Sequence, residues 1–341
     1  MRRGGKAWSK FLLTRATTVL FVLLLISSAT FFITRHLGNP VYLIVGAQAS
    51  EEILEAARQE IGLDRPIHEQ YLLYLRSVAS GNFGVSRFTY NPVIEDIQRR
   101  LPATLELATV ALLLTTILGV IGGMLAAVSR GGIISKTIDA VASIGVSVDR
   151  PWFALMLIYV FYFALGLAPA PVGRIGTGLT GFPQVTGFFL IDTALAGDWV
   201  AFVSAARHML LPVAVLAFTT LPYILNLVRA NATAALQSSY IENARAFGLP
   251  KVTQYRYVLR NMLPSLLTLV AVNYAWLISA NIIVEEIFSW PGLGSYTIQA
   301  MHNSDYDPVI AVVLLAAIVY TGLYFIVDVL SAMVDPRWTI D

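Results

Sequence analysis

Apolar residues in this chain do not recur along one helical face; they fill long runs, with polar residues gathered between them. A helix that is apolar all round belongs in a protein core or in lipid, and crossing the hydrocarbon takes roughly 20 such residues. Six runs qualify, at 11–34, 103–128, 137–167, 208–229, 264–284 and 308–330. Two other runs stop short. Residues 42–47 end at Gln48, Ser50, Glu51 and Glu52, and 185–205 is interrupted by Asp192, Gly197 and Asp198, so both read as short helices at the membrane surface. Between the first two spans, one helical stretch is expected from Glu51 to Ile61, stopped by Gly62. A second is expected near His68–Val78, stopped before Gly81. The expected organisation is a tail and first span over 1–34, a scoop-like outer loop over 35–101, and a membrane core over 102–341 with a polar loop at 231–263.

Composition turns "core or lipid" into lipid. Apolar residues make up 57% of the chain and charged ones 13%, with a mean hydropathy of +0.69. Soluble domains carry about a quarter charged residues. A net charge of +2 gives no electrostatic case for nucleic acid. There is no cysteine, and His36, His68, His208 and His302 are scattered, so no disulfide, thiol chemistry or metal cluster is expected. The first run follows Arg2, Arg3, Lys6 and Lys10, as a signal peptide would. It is longer than a typical signal core and lacks a small-residue exit, and reads as an uncleaved anchor.

Basic residues in short loops set orientation. With the N-terminus inside, the cytoplasmic side holds every lysine, together with Arg130, Arg229, Arg245, Arg256, Arg260 and Arg337. Of the short outer loops, one holds Arg174 and Arg207 and the other, 285–307, has no Lys or Arg. The 35–101 loop does hold arginines, but acids balance them and it is long enough for the rule to lose force. Six transmembrane helices with both ends inside is the consistent arrangement of an all-α membrane protein.

The loop between the fourth and fifth spans, Ser238 to Pro264, carries the most information. Ser239 with Glu242 has capping-box spacing, Ala244 and Ala246 are small, and Gly248-Leu249-Pro250 ends the helix. A second short helix over 251–262 is expected before Pro264 opens the next span. Small residues would let the first helix sit closely in a groove on another protein. A surface linker touching anionic headgroups is equally compatible with these residues.

This loop resembles the EAA coupling loop of ABC importer permeases, with Glu242, Ala244 and Gly248 at the matching positions and Asn243 departing from the second alanine. The late proline, Pro264, and the Ala244-Arg-Ala-Phe-Gly-Leu249 and Leu259-Arg-Asn-Met-Leu-Pro264 stretches are similar to the dipeptide/oligopeptide/nickel (DppB/OppB-like) branch. Gly62-Leu-Asp-Arg-Pro-Ile-His-Glu-Gln-Tyr71, Gly81-Asn-Phe-Gly84, Arg100-Leu-Pro-Ala-Thr-Leu-Glu-Leu107, Glu286-Ile-Phe-Ser-Trp-Pro-Gly-Leu-Gly294, Asp305-Tyr-Asp-Pro308 and Asp335-Pro-Arg337 resemble that branch in order along the chain.

The resemblance implies a type I ABC importer permease fold in a bacterial inner membrane. It implies a second homologous membrane subunit, one or two ATP-binding subunits and a periplasmic solute-binding protein. Glu242, Ala244, Arg245, Ala246, Gly248 and Leu249 would form the ATPase-coupling loop. ATP and Mg would reside on the partners, with no cofactor on this chain. Peptides are the implied solutes, with nickel chelates, glutathione, opines and oligosaccharides as alternatives.

Asp149 and Arg150 lie in the apolar stretch 138–167, followed by Pro151, where a kink or break is expected. Charges within a span usually face a cavity or a partner. Asp149, Arg150, Pro151 and Glu286 are therefore candidates for the translocation pathway, and a mutually neutralising Asp149–Arg150 pair is the plainer alternative. Glu285 reads as interfacial, Gly119, Gly122 and Gly123 as helix-packing contacts, and Pro212 and Pro222 as bends.

No phosphate-binding glycine loop and no nucleophile–base cluster is present, so ATP hydrolysis or other catalysis is not expected here. A gradient-driven carrier would show paired halves and several acids within spans. The acids assigned to spans are Asp149 and Asp328, and no paired halves are evident.

Overall fold

The structure, a computed structural model, describes residues 4–37, 50–52, 55, 64–129 and 131–334. The expected surface helix at 42–47 and the Asp335-Pro-Arg337 ending lie outside the described residues, as does most of the Glu51–Ile61 stretch. Long helices dominate. They are α1 (Gly4–Leu37), α2 (Ile67–Ala79), α3 (Val93–Val128), α4 (Ile133–Ser147), α5 (Arg150–Leu157, continued by a π-helical segment Ile158–Ala164), α6 (Phe189–Leu195), α7 (Trp199–Leu236), α8 (Ser239–Ala246), α9 (Lys251–Ala280), α10 (Ile282–Ile287), α11 (Leu293–His302) and α12 (Tyr306–Val334). Among the described residues, five helices are long and apolar enough to cross a membrane. The number becomes six when α4 and α5 with its π segment, bent by 110°, count as one span.

The structure changes several expected boundaries. Of the kink or break expected at Pro151, a break forms, with the helices on either side bent by 110°. Within 185–205 a short helix, α6, does form, but Trp199–Ala205 belongs to α7, which runs 38 residues through both Pro212 and Pro222. Pro264 does not open a new element either. The expected 251–262 helix and the fifth span are one helix, α9, with Pro264 inside it. Met262 and Leu266, on either side of that proline, are buried in one cluster with Ile224 and Val228. Packing on both sides keeps the helix in line despite the lost backbone bond.

The described chain divides into two compact units. In the first, 1–98 with 299–322, Phe31 of α1 makes edge contact with Tyr71 of α2, whose hydroxyl bonds Ser28 at 2.7 Å. Asp305 is buried there; its Oδ2 accepts from Ser86 Oγ (2.8 Å) and from the Arg87 N–H (2.7 Å), which shapes the loop leading into α3. The second unit, 99–298 with 323–341, holds the main core of Leu107, Leu216, Leu277 and Trp290. Its α3 lies tightly on α7: a methyl added at Gly119 would meet Ile224 at 2.7 Å, and one at Gly123 would meet Val228 at 2.7 Å. These glycines are packing contacts, allowing the backbones to approach.

Candidate functional site

Two places in the second unit bear on function. The first is α8. Its cap is Ser238, whose hydroxyl turns back to the Ala235 carbonyl and does not cap the helix; the expected Ser239–Glu242 capping box is therefore not formed. Gly248 closes the helix at φ +70°, a conformation that glycine adopts without strain, with Leu249 N–H donating to the Ala244 carbonyl at 3.0 Å.

Burial divides this helix into two faces. Ile241 is fully buried in a cluster with Ala127, Ala232, Leu236 and Val258, and Ala244 is buried as well. Arg245 is exposed but tied back, Nε to Gln254 Oε1 (3.3 Å) and Nη2 to the Leu236 carbonyl (3.4 Å). Gln254 in turn donates to the Leu249 carbonyl at 2.8 Å. These ties fix α8 to the end of α7 and the start of α9. Glu242, Asn243, Ala246, Phe247 and Gly248 face outward, and Phe247 is 85% exposed. Ala244, expected to fit a partner's groove, therefore packs against its own chain, while Ala246 faces out. Phe247 was not singled out from sequence; a phenylalanine between a small residue and a helix-ending glycine was the available signal.

The second place is the break between α4 and α5. Gly145 lies against α7 so closely that an added methyl would meet the Phe218 carbonyl at 2.8 Å. Asp149 then caps α5 by position, is exposed, and makes no side-chain bond to the helix. Arg150 points elsewhere. Its Nε donates to Thr219 Oγ1 (3.0 Å) on α7, and its guanidinium lies 3.9 Å over the Trp276 ring of α9. Trp276 in turn meets Tyr223 edge-on at 6.2 Å. The plainer alternative of a neutralising Asp149–Arg150 pair is not what forms, and no ion pair involves Arg150 among the described residues.

Glu286 is exposed at the end of α10, and the adjacent Glu285 is the buried member. Glu285 was expected at the interface. It is 0% exposed and accepts from Thr104 Oγ1 (2.6 Å), Gly294 N–H (2.7 Å) and Ser295 N–H (3.2 Å), which caps the start of α11. A side chain at Gly292 would collide with this carboxylate. Burial pushes Glu285 up to about 7, against the pull of those donors.

A further acid also needed recognition. Glu106, within α3, lies in a span and forms a buried ion pair with Arg174. Arg174 also stacks 3.6 Å over Phe189 and donates to the Gly187 carbonyl at 2.8 Å. The other Glu106 oxygen accepts from Leu190 N–H at 2.8 Å. Burial lowers the Arg174 pKa, with Glu106 opposing. Asp192 is held below the usual carboxylate range: its burial is outweighed by donors from Thr186 and Gly187. This network ties the 174–192 loop to α3 and is structural. Asp139, another acid in a span helix, pairs with Arg229.

An all-helical, multi-pass membrane chain with a broken span and a short helix displayed between two spans has the architecture of an importer permease. The fold agrees with that of the inward-facing MetNI methionine ABC transporter at a TM-score of 0.51, 20% identity, and 70% of this chain against 96% of that one. The chain belongs to the family of binding-protein-dependent transport system inner membrane components, whose model matches residues 119–340, and the N-terminal model for such components matches 8–108. It is similar to the probable D,D-dipeptide transport system permease protein DdpB of Escherichia coli (strain K12), 34% identical over 90% of this chain and 91% of that one. It is also similar to the dipeptide transport system permease protein DppB of the same strain, 35% identical over 96% and 98%. It is a multi-pass inner-membrane permease subunit of an ABC importer.

Proposed function

We propose that this chain forms half of the translocation pathway of an ATP-driven peptide importer, with both termini in the cytoplasm. The peptide reading is supported by the dipeptide permeases it is similar to. A second, homologous membrane subunit completes the pathway, an extracytoplasmic binding protein delivers the solute, and ATP with Mg is bound and hydrolysed on separate subunits. The observation that carries the coupling role is the division of α8. Ile241 and Ala244 anchor it to its own chain, while Glu242, Ala246, Phe247 and Gly248 form an outward face without partners in the described chain.

A push on that outward face moves α8 as a rigid piece. Ile241, Arg245 and Gln254 pass the movement to α7 and α9. Those helices hold Thr219 and Trp276 against Arg150, so the break at Asp149-Arg150-Pro151 lies on the elements that ATPase closure would displace. The exposure of Glu286 at the end of α10 supports assigning it to the same pathway. The reading is tested in proteoliposomes holding the whole complex with its binding protein. Uptake of a labelled dipeptide should require ATP on the α8 side; uptake driven by an ion gradient without ATP would contradict it.

A further inference from the structure

Arg150 is held as a cation whose hydrogen-bonding capacity is incompletely used. Thr219 takes its Nε, the Trp276 face takes one side of its plane, and Nη2 is buried with no hydrogen-bond partner. No carboxylate bonds it: Asp149, exposed at the helix cap, acts on the guanidinium only through space, and no ion pair involves Arg150 among the described residues. A cation facing hydrocarbon is costly, so this edge of the second unit does not face lipid. A guanidinium stacked on an indole keeps its N–H edge free for a carboxylate, which it binds with two parallel bonds. The neighbouring rings suit the rest of such a ligand. Tyr223 and Trp276 are 48% and 41% exposed and lie edge to face, next to the cation. Nη2 is covered in this conformation, so a carboxylate reaches it only when the surrounding side chains move.

We infer that Arg150, with Thr219, Tyr223 and Trp276, is a docking point for the C-terminal carboxylate of a peptide in transit. The inference rests on the peptide reading above and narrows it to one residue and one ligand group. It also assigns different roles to Asp149 and Arg150, since only the arginine has aromatic and hydroxyl partners placed around it. Both helices that hold the site, α7 and α9, flank α8, so the movement that reaches the site begins at the ATPase face.

The test uses the complete complex in proteoliposomes with its binding protein. Uptake is compared for a dipeptide with a free carboxylate and for its C-terminal amide, in the wild type, Arg150→Gln and Arg150→Lys. Any selection by the binding protein is common to all three and divides out of the comparison. The acid-to-amide preference should narrow by about tenfold in Arg150→Gln, the scale of one charge-assisted pair, and be partly retained in Arg150→Lys. Equal loss for both peptides, or an unchanged preference, overturns the inference. So does failure of Arg150→Gln to co-purify with the second membrane subunit while Arg150→Lys retains it, because the carboxylate would then belong to that subunit. If the wild type shows no ATP-dependent peptide uptake, the peptide reading itself fails and this inference with it. Normal wild-type uptake with an unchanged Arg150→Gln preference overturns this inference alone.

Discussion

Arg174 and Arg150 lie in the same helical unit, each stacked on an aromatic ring, and they differ in what meets their charge. Arg174 is 7% exposed and faces the Glu106 carboxylate, with a backbone carbonyl beside it. Each also has one buried nitrogen without a partner, Nε in Arg174 and Nη2 in Arg150. Only Arg174 is bonded to its counter-charge, whereas Asp149 acts on Arg150 without a direct contact. The difference separates structure from function: a cation closed into an ion pair holds a loop in place, whereas one left with a neutral hydroxyl and a ring is available to something that comes and goes. Glu285 belongs with Arg174, since three donors converge on it and its role ends at the helix that it caps.

Breaking the closed pair should have the largest effect. Glu106→Ala strands a buried guanidinium and should cost about 3–5 kcal/mol, seen as a large fall in the thermal unfolding midpoint of the purified complex. An unchanged midpoint would show that the pair does not hold the loop. Glu285→Gln should cost less, about 1–3 kcal/mol, because an amide cannot accept from all three donors.

The same residue makes a pH prediction. Its folded value of about 7 lies above the ordinary 4.5, so between those values the folded state keeps a proton that the unfolded chain has released. Stability should therefore fall as pH rises from 4.5 to 7 and level off above it. In Glu285→Gln this contribution to the slope should vanish, which thermal scans across that range would read.

Arg150→Gln should cost about 2 kcal/mol, the scale of a charged hydrogen bond to Thr219 with the stack on Trp276, while changing transport. A loss as large as that of Glu106→Ala would place Arg150 among the structural charges and remove the contrast. Phe247→Ala should have the smallest effect on stability, within about 0.5 kcal/mol for a surface side chain. Its effect should show instead as weaker co-purification of the ATPase subunit.

The spans were legible because lipid imposes one requirement on every crossing, and runs such as 308–330 meet it whatever they pack against. The short helix α8 was legible because Gly248 and Pro250 end a helix by local chemistry. What escaped depended on tertiary contact. The break at Asp149-Arg150-Pro151 was legible in the proline, but its 110° angle and the close seat of Gly145 on α7 were not. Glu285 and Glu286 are adjacent, and the roughly 100° step between neighbours on a helix buries one and exposes the other. Motif resemblance favoured Glu286, and burial favours Glu285. Glu106 was overlooked as an acid within a span, because nothing local reveals that Arg174, far along the chain, closes on it. The two faces of α8 were likewise hidden, since Ala244 and Ala246 look equivalent until Ile241 fixes which way the helix turns.

Those two alanines allow the most direct test of the coupling role. The chain has no cysteine, so a single one reports without background. In the assembled complex, Ala246→Cys should cross-link to a cysteine placed in the ATPase subunit's cleft, with a yield that changes when nucleotide is added, whereas Ala244→Cys should not. Equal cross-linking from both positions, or none from Ala246→Cys in a complex that still hydrolyses ATP, would contradict the account.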